Sequence, residues 1–174
     1  MNLLERLLNI NLMVFDLDGV LTNGKVLLNT DGEWLRQMDI KDGFAIQYAI
    51  KSGIEIAVVS GSHSAQVEQR LKKLGVEVFV QGATCKSDHL LFLLENLSLN
   101  KDNLLYMGDD IPDLDAFSVS GIKTCPADAV HEIKEAADFI SLKNGGDGCV
   151  REIIEKVMRV QGKWDVNKYN IQSI

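Results

Sequence analysis

Asp16 and Asp18 stand two residues apart in Asp16-Leu17-Asp18-Gly19-Val20, directly after the apolar run Asn11-Leu12-Met13-Val14-Phe15. Two carboxylates this close repel each other, so they need a cation between them or one must hold a proton. A divalent metal ion together with a general acid meets that need. The preceding run reads as a buried parallel strand. Gly19 lets the backbone turn away, which leaves both acids at the mouth of a sheet, where open α/β sheets bind ligands. Taken alone, Asp-x-Asp-Gly reads equally well as a polar strand-to-loop turn.

Other residues repeat the placement. Ser60 closes the β-branched run 54–59, and Asp109 follows the apolar run 104–107 within Gly108-Asp109-Asp110. Asp16, Ser60 and Asp109 thus each fall at the C-terminal end of an expected strand, and Lys86 opens an expected helix. Each has a plainer reading: Ser60 as a helix cap, Lys86 as an exposed first-turn residue, Asp109 and Asp110 as acids favoured at a helix start. His63, His89 and His131 lack ligand spacing and are assigned to the surface. Cys85 has no partner histidine and is read as structural.

The elements that must carry these residues follow from periodicity. Residues 1–10, with leucines at 3, 4, 7 and 8, suit a short amphipathic helix; Glu5 and the lack of a basic start or small-residue cleavage site argue against a signal peptide. Runs 25–28 and 34–39 flank Asn29-Thr30-Asp31-Gly32, a hairpin signal, with Trp34 expected to pack within it. Asp42 is expected to cap a helix that carries Phe44, Ile46, Tyr48, Ala49 and Ile50 and ends at Gly53. Helices are expected over 64–73, 86–97, 111–118, 128–137 and from 150 to about 161, and strands over 76–80, 122–124 and 139–140. Gly145-Gly146-Asp147-Gly148 reads as a loop. From 162 to 174 the periodicity is lost, which predicts a flexible tail with Trp164 as an anchor. Alternating strands and helices predict an α/β fold: a doubly wound, mostly parallel sheet with helices on both faces, one domain over 1–161.

Bulk properties agree with that class. A chain of 174 residues, 46% hydrophobic and 25% charged, has the composition of an ordinary globular domain. Its formal charge of -7 provides no basic stripe for nucleic acid. Cys85, Cys125 and Cys149 are odd in number and widely spaced, which fits a reducing cytoplasm. No apolar run approaches a membrane span.

Asp16-Leu17-Asp18-Gly19-Val20, the strand ending on Ser60, Lys86, and Gly108-Asp109-Asp110-x-x-Asp113 together resemble, in order, the four motifs of the haloacid dehalogenase superfamily phosphatases. The resemblance implies that Asp16 attacks phosphorus and becomes an aspartyl phosphate. Asp18 would protonate the leaving alkoxide and then take a proton from water. Mg2+ would be held by Asp16, the Asp18 backbone carbonyl and Asp109. Lys86 would add a second cation. Ser60, Gly61 and Ser62 would bind phosphate, and Asp110 and Asp113 would orient water ligands or Lys86.

Only about twenty residues separate Gly24 from Asp42, so no cap domain is expected, only a hairpin flap over about 24–40. Gly145-Gly146-x-Gly-x-x-Arg151-Glu152, Gln161-Gly162-Lys163, Asp42-Gly43 and Gln81-Gly82 are similar to the 3-deoxy-D-manno-octulosonate 8-phosphate (KDO 8-phosphate) phosphatases. That resemblance implies a sugar-acid phosphate substrate, a homotetramer whose neighbouring subunit shields the site, and a cytoplasmic step towards lipopolysaccharide. Two positions depart from the family: Ser62 and Asp147 stand where arginines are common. Phosphatases of nine-carbon sialic-type sugar acids also lack the first arginine, so that substrate stays open. A phospho-accepting receiver domain combines similar residues, but it lacks an acid two positions after its aspartate. A catalytically idle subunit is the third alternative, and no expected catalytic position is missing to support it.

Overall fold

The computed structural model describes residues 2–30 and 32–165. Its centre is a six-stranded sheet of β1 (Leu12–Phe15), β4 (Glu55–Val59), β5 (Val78–Val80), β6 (Leu104–Met107), β7 (Ile122–Cys125) and β8 (Phe139–Ile140). The order across the sheet is β5-β4-β1-β6-β7-β8, and every pairing in it is parallel. A separate antiparallel ribbon pairs β2 (Leu27–Leu28) with β3 (Trp34–Leu35).

Alternation along β1 divides the core. Met13 and Phe15 face a cluster that contains Ile56 and Val58, with α2 (Ile40–Lys51), α3 (Ala65–Lys73) and α7 (Cys149–Val160) packed over it. Leu12 and Val14 face the other cluster, beneath α4 (Lys86–Asn96), α5 (Leu114–Val119) and α6 (His131–Ala136). A strand buried on both faces must be apolar at every position, as all four residues of β1 are. The chain winds outward from β1 through β4 to β5, then crosses back to β6 on the other flank. The strand order reverses beside β1, and such a reversal opens a crevice at the C-terminal strand ends.

Three expected boundaries move. Asp39, not Asp42, caps α2, its carboxylate accepting the Lys41 amide at 2.5 Å. Asp42 lies inside the helix and accepts the Arg151 amide at 2.7 Å, so it tethers the start of α7. The expected helix 128–137 forms only over His131–Ala136 (α6). The expected helix 111–118 is a tight turn over Ile111–Asp113 that leads into α5.

The hairpin is shorter than expected, two residues per strand, with a Thr22–Met38 bridge at its base. Trp34 does not pack within it, being 58% exposed alongside outward-facing Leu27 and Leu28. Its Asp31 lies outside the described residues.

Packed chain also runs beyond residue 161. The Lys163 amide donates to the Met158 carbonyl at 2.7 Å, and Trp164 stacks edge-on against Tyr48 and Phe44. Tyr48 Oη donates to the Asp165 carbonyl at 2.8 Å. The tail expected from 162 is therefore ordered through Asp165, held by aromatic contact as Trp164 was expected to do. The rest of that expectation, 166–174, lies outside the described residues. An N-terminal helix forms as α1 (Leu3–Leu7), capped by Asn2 and Glu5 reciprocally. No helix among the described residues is long and apolar enough to cross a membrane.

Candidate active site

β1, β4 and β6 are neighbours, and the chain leaves each at the same edge. Asp16 follows β1, Ser60 follows β4, and Asp109 lies two residues past β6. Lys86, the first residue of α4, enters from the crossover on the other face. The repeated placement read from the sequence thus converges on one point.

Lys86 Nζ donates to Asp16 Oδ1 at 2.9 Å and to Asp113 Oδ1 at 2.5 Å. All three side chains are buried, which excludes an exposed first-turn role for the lysine. Burial by itself would lower the Lys86 pKa, but the charges of Asp16 and Asp113 and the bonds they accept raise it. Asp16 is pushed up to about 6, by burial first and the Asp113 charge second, while Lys86 pulls it down.

Asp113 is saturated. Its Oδ1 also accepts the Tyr106 hydroxyl at 2.6 Å, and its Oδ2 accepts the amides of Asp109 at 2.9 Å and Asp110 at 3.2 Å. Asp113 therefore bonds both Lys86 and the Asp109 loop. Asp110 does not point inward: its side chain caps the following turn by accepting the Ile111 amide at 2.8 Å.

Asp16, Asp109 and Asp113 present oxygens within 4.8 Å of one another. With Asp113 fully engaged, Asp16 and Asp109 are the acids with capacity left for a cation. Asp109 Oδ1 is buried with no hydrogen-bond partner, a costly state for a carboxylate oxygen. Burial and the charges of Asp16, Asp113 and Asp110 push its pKa up to about 8. A hard divalent cation would satisfy that oxygen and relieve both carboxylates, so the donor set fits Mg2+.

The loop after Asp16 is built for close approach. Gly19 has φ +95°, and a Cβ there would overlap the Asp109 carboxylate. The Gly145-Gly146 loop presses on this turn from outside: a Cβ on Gly145 would overlap the Gly19 carbonyl, and the Gly146 amide donates to the Val20 carbonyl at 2.9 Å. The glycine loop thus braces the Asp16–Asp18 turn through its backbone, and the Asp147 side chain is exposed. Arg151 lies over the Phe44 and Trp164 rings, with its guanidinium carbon 5.6 Å from each centroid.

The Ser60 arm is joined to Asp18. Ser60 is buried, and its Oγ accepts the Ser62 amide at 3.1 Å and lies 3.0 Å from Ser62 Oγ. It does not cap α3; Ser64 does, accepting the Val67 amide at 3.3 Å. Ser62 Oγ donates to Asp18 Oδ2 at 3.0 Å. The sequence reading missed the next partner: Arg36, from the hairpin, donates to both Asp18 oxygens at 2.7 and 3.0 Å and to Ser62 Oγ at 3.2 Å.

A parallel sheet with an acid pair after β1, a serine after β4, a lysine opening the crossover helix and an acid after β6 defines a haloacid dehalogenase-like hydrolase. Residues 79–153 match the family model of that description. Over 160 residues the chain is 35% identical to the 3-deoxy-D-manno-octulosonate 8-phosphate phosphatase of Escherichia coli K12, covering 92% of this chain and 85% of that protein. The Moraxella catarrhalis phosphatase of the same name, solved with magnesium ion, phosphate ion and KDO, superposes with TM-score 0.91 at 31% identity over 94% of both chains. The cobalt-bound Haemophilus influenzae phosphatase gives TM-score 0.87 at 32% identity, over 90% of this chain and 92% of that one. The chain belongs to the family of haloacid dehalogenase-like hydrolases that these phosphatases form.

Proposed function

We propose that the protein is a Mg2+-dependent phosphomonoesterase that hydrolyses KDO 8-phosphate to KDO and phosphate through an aspartyl phosphate on Asp16. The observation that carries the reading is Asp16 itself: buried, bonded to Lys86, and next to an Asp109 oxygen that lacks any partner. Similarity over nearly the whole chain to phosphatases of this name supports the substrate.

Asp16 Oδ attacks phosphorus while Lys86 offsets the charge that accumulates between carboxylate and phosphoryl group. Ser60 Oγ and the amides after it donate to a phosphoryl oxygen. Asp18 gives a proton to the leaving sugar oxygen as the P–O bond breaks. It then takes one from the water that attacks the aspartyl phosphate, which returns Asp16 and Asp18 to their starting states. Mg2+, held by Asp16, Asp109 and the Asp18 carbonyl, would supply the screening that lets an anion approach a phosphate dianion. Asp18 held beside the nucleophile supports turnover over the phosphate storage of a receiver domain.

A homotetramer and a cytoplasmic location belong to the same proposal. The apolar outer face of the hairpin, with Leu27, Leu28 and Trp34 exposed, supports assembly. Ser62 and Asp147, where the family commonly carries arginines, favour a second substrate reading, a nine-carbon sialic-type sugar acid 9-phosphate. Phosphate release from both substrates with Mg2+ separates the two. A higher kcat/KM on KDO 8-phosphate supports the first reading, the reverse order supports the second, and release from neither refutes the function.

A further inference from the structure

Arg36 sits one residue beyond β3, in an arm whose neighbours Trp34 and Leu35 face outward. An arginine whose task was to keep that flap soluble would extend into water. Its side chain is instead only 3% exposed, turned back under the hairpin. Every nitrogen of the guanidinium is occupied: Nε and Nη2 by the two Asp18 oxygens, Nη2 also by Ser62 Oγ, and Nη1 by the Trp34 carbonyl at 3.3 Å.

Two parallel bonds from a planar fork fix the plane of a carboxylate, which a single lysine nitrogen does not. Asp18 needs such fixing. It stands in a turn whose backbone leaves helical geometry at Asp18 and Gly19, and a third of its side chain is exposed. Without the arginine, its oxygens would keep, among the described residues, Ser62 Oγ and the longer 3.4 Å contact from Thr22 Oγ1. Four of the arginine's five N–H donors are thus engaged within the protein, which leaves a single Nη1 N–H for any other partner.

We propose that Arg36 is a positioning residue for proton transfer: the fork fixes the plane of the Asp18 carboxyl, the 2.7 Å Nε bond to Oδ1 keeps that plane when Oδ2 carries the proton that goes to the leaving oxygen, and Oδ2 later receives one from water. The inference rests on the phosphatase reading. Ser62 is part of the same device: it links Asp18 to Ser60, and the guanidinium that reaches this corner comes from the hairpin instead of from position 62.

Rapid-quench measurement on Mg2+-loaded full-length protein tests it with two substrates. Alkyl phosphates, such as KDO 8-phosphate, need their leaving oxygen protonated, whereas p-nitrophenyl phosphate releases a stable anion unaided. In Arg36→Met the rate of phosphoenzyme formation from KDO 8-phosphate should fall about 10- to 100-fold, short of the roughly 10²–10⁴-fold that a general acid contributes, because Asp18 itself is still present. The nitrophenolate burst should stay within about 3-fold of wild type, because that step needs no proton donor. Later turnover should slow for both substrates, since water attack needs Asp18. Arg36→Lys should recover part of the loss. The intact burst also shows that the variant is folded. Equal loss in both bursts would reduce Arg36 to a structural prop. A raised KM at unchanged kcat would make it a substrate ligand. Either result overturns the proposal. A wild-type protein that forms no phosphoenzyme from either substrate overturns the phosphatase reading and this inference with it.

Discussion

Lys86→Met tests the electrostatics of the site without chemistry. Methionine keeps most of the volume of the lysine stem but removes the ammonium, which bonds Asp16 at 2.9 Å and Asp113 at 2.5 Å with all three side chains at most 10% exposed. Removing one partner from such a buried pair costs about 3–5 kcal/mol, because the remaining charge is desolvated and uncompensated. Here two carboxylates are left facing each other, so one takes up a proton. Asp16 already sits at about 6 with the lysine present, raised by burial, and without the lysine it rises further. A folded-state carboxyl pKa above its unfolded value means that the folded protein binds more protons between the two values. Stability then falls as pH rises through that window. In urea unfolding with EDTA, the variant should lose about 3–5 kcal/mol relative to wild type at pH 8 and clearly less at pH 5, at an unchanged m-value. A deficit below about 1 kcal/mol at pH 8, or the same deficit at both pH values, would refute the buried triad.

Three further outcomes follow from other contacts. Gly19→Ala combines a φ of +95° with a Cβ that overlaps the Asp109 carboxylate; it should cost about 1–3 kcal/mol and abolish turnover, as calorimetry and phosphate release would show. Tyr106→Phe removes the 2.6 Å bond to Asp113 Oδ1, which should cost about 1–2 kcal/mol and lower kcat about 10-fold, checked by urea melts and steady-state kinetics. Deleting 162–174 strips Trp164 from Phe44 and Tyr48 and should cost about 2–3 kcal/mol of truncated aromatic burial.

What could be read from the sequence divides by range. β1, β4 and β6 are continuous apolar runs, so burial on two faces shows in one dimension, and the acid or hydroxyl that ends each run marks the sheet edge. That is why Asp16, Ser60 and Asp109 stood out, whereas Lys86, at a helix start, was marked only by the resemblance to the phosphatase motifs. Asp42 was misplaced because an acid before an apolar helical stretch looks like a cap. Its partner, the Arg151 amide, is distant in sequence, and nothing local separates it from Asp39. Asp110 and Asp113 look alike in Gly108-Asp109-Asp110-x-x-Asp113; only the turn decides that one caps outward and the other meets Lys86 and Tyr106. Arg36 had no local signal at all, since its partners Asp18 and Ser62 come from two other segments. The packing of Trp164 likewise depends on α2, over a hundred residues earlier, so loss of periodicity after 161 looked like loss of order.

The covalent step is the central claim, and acid-quenched protein from a brief reaction with phosphate-labelled substrate and Mg2+ reaches it most directly. The account predicts one base-labile phosphoryl group per chain, mapped by peptide sequencing to Asp16 and absent from Asp16→Asn. Label on any other residue, or undiminished turnover by Asp16→Asn, would contradict it.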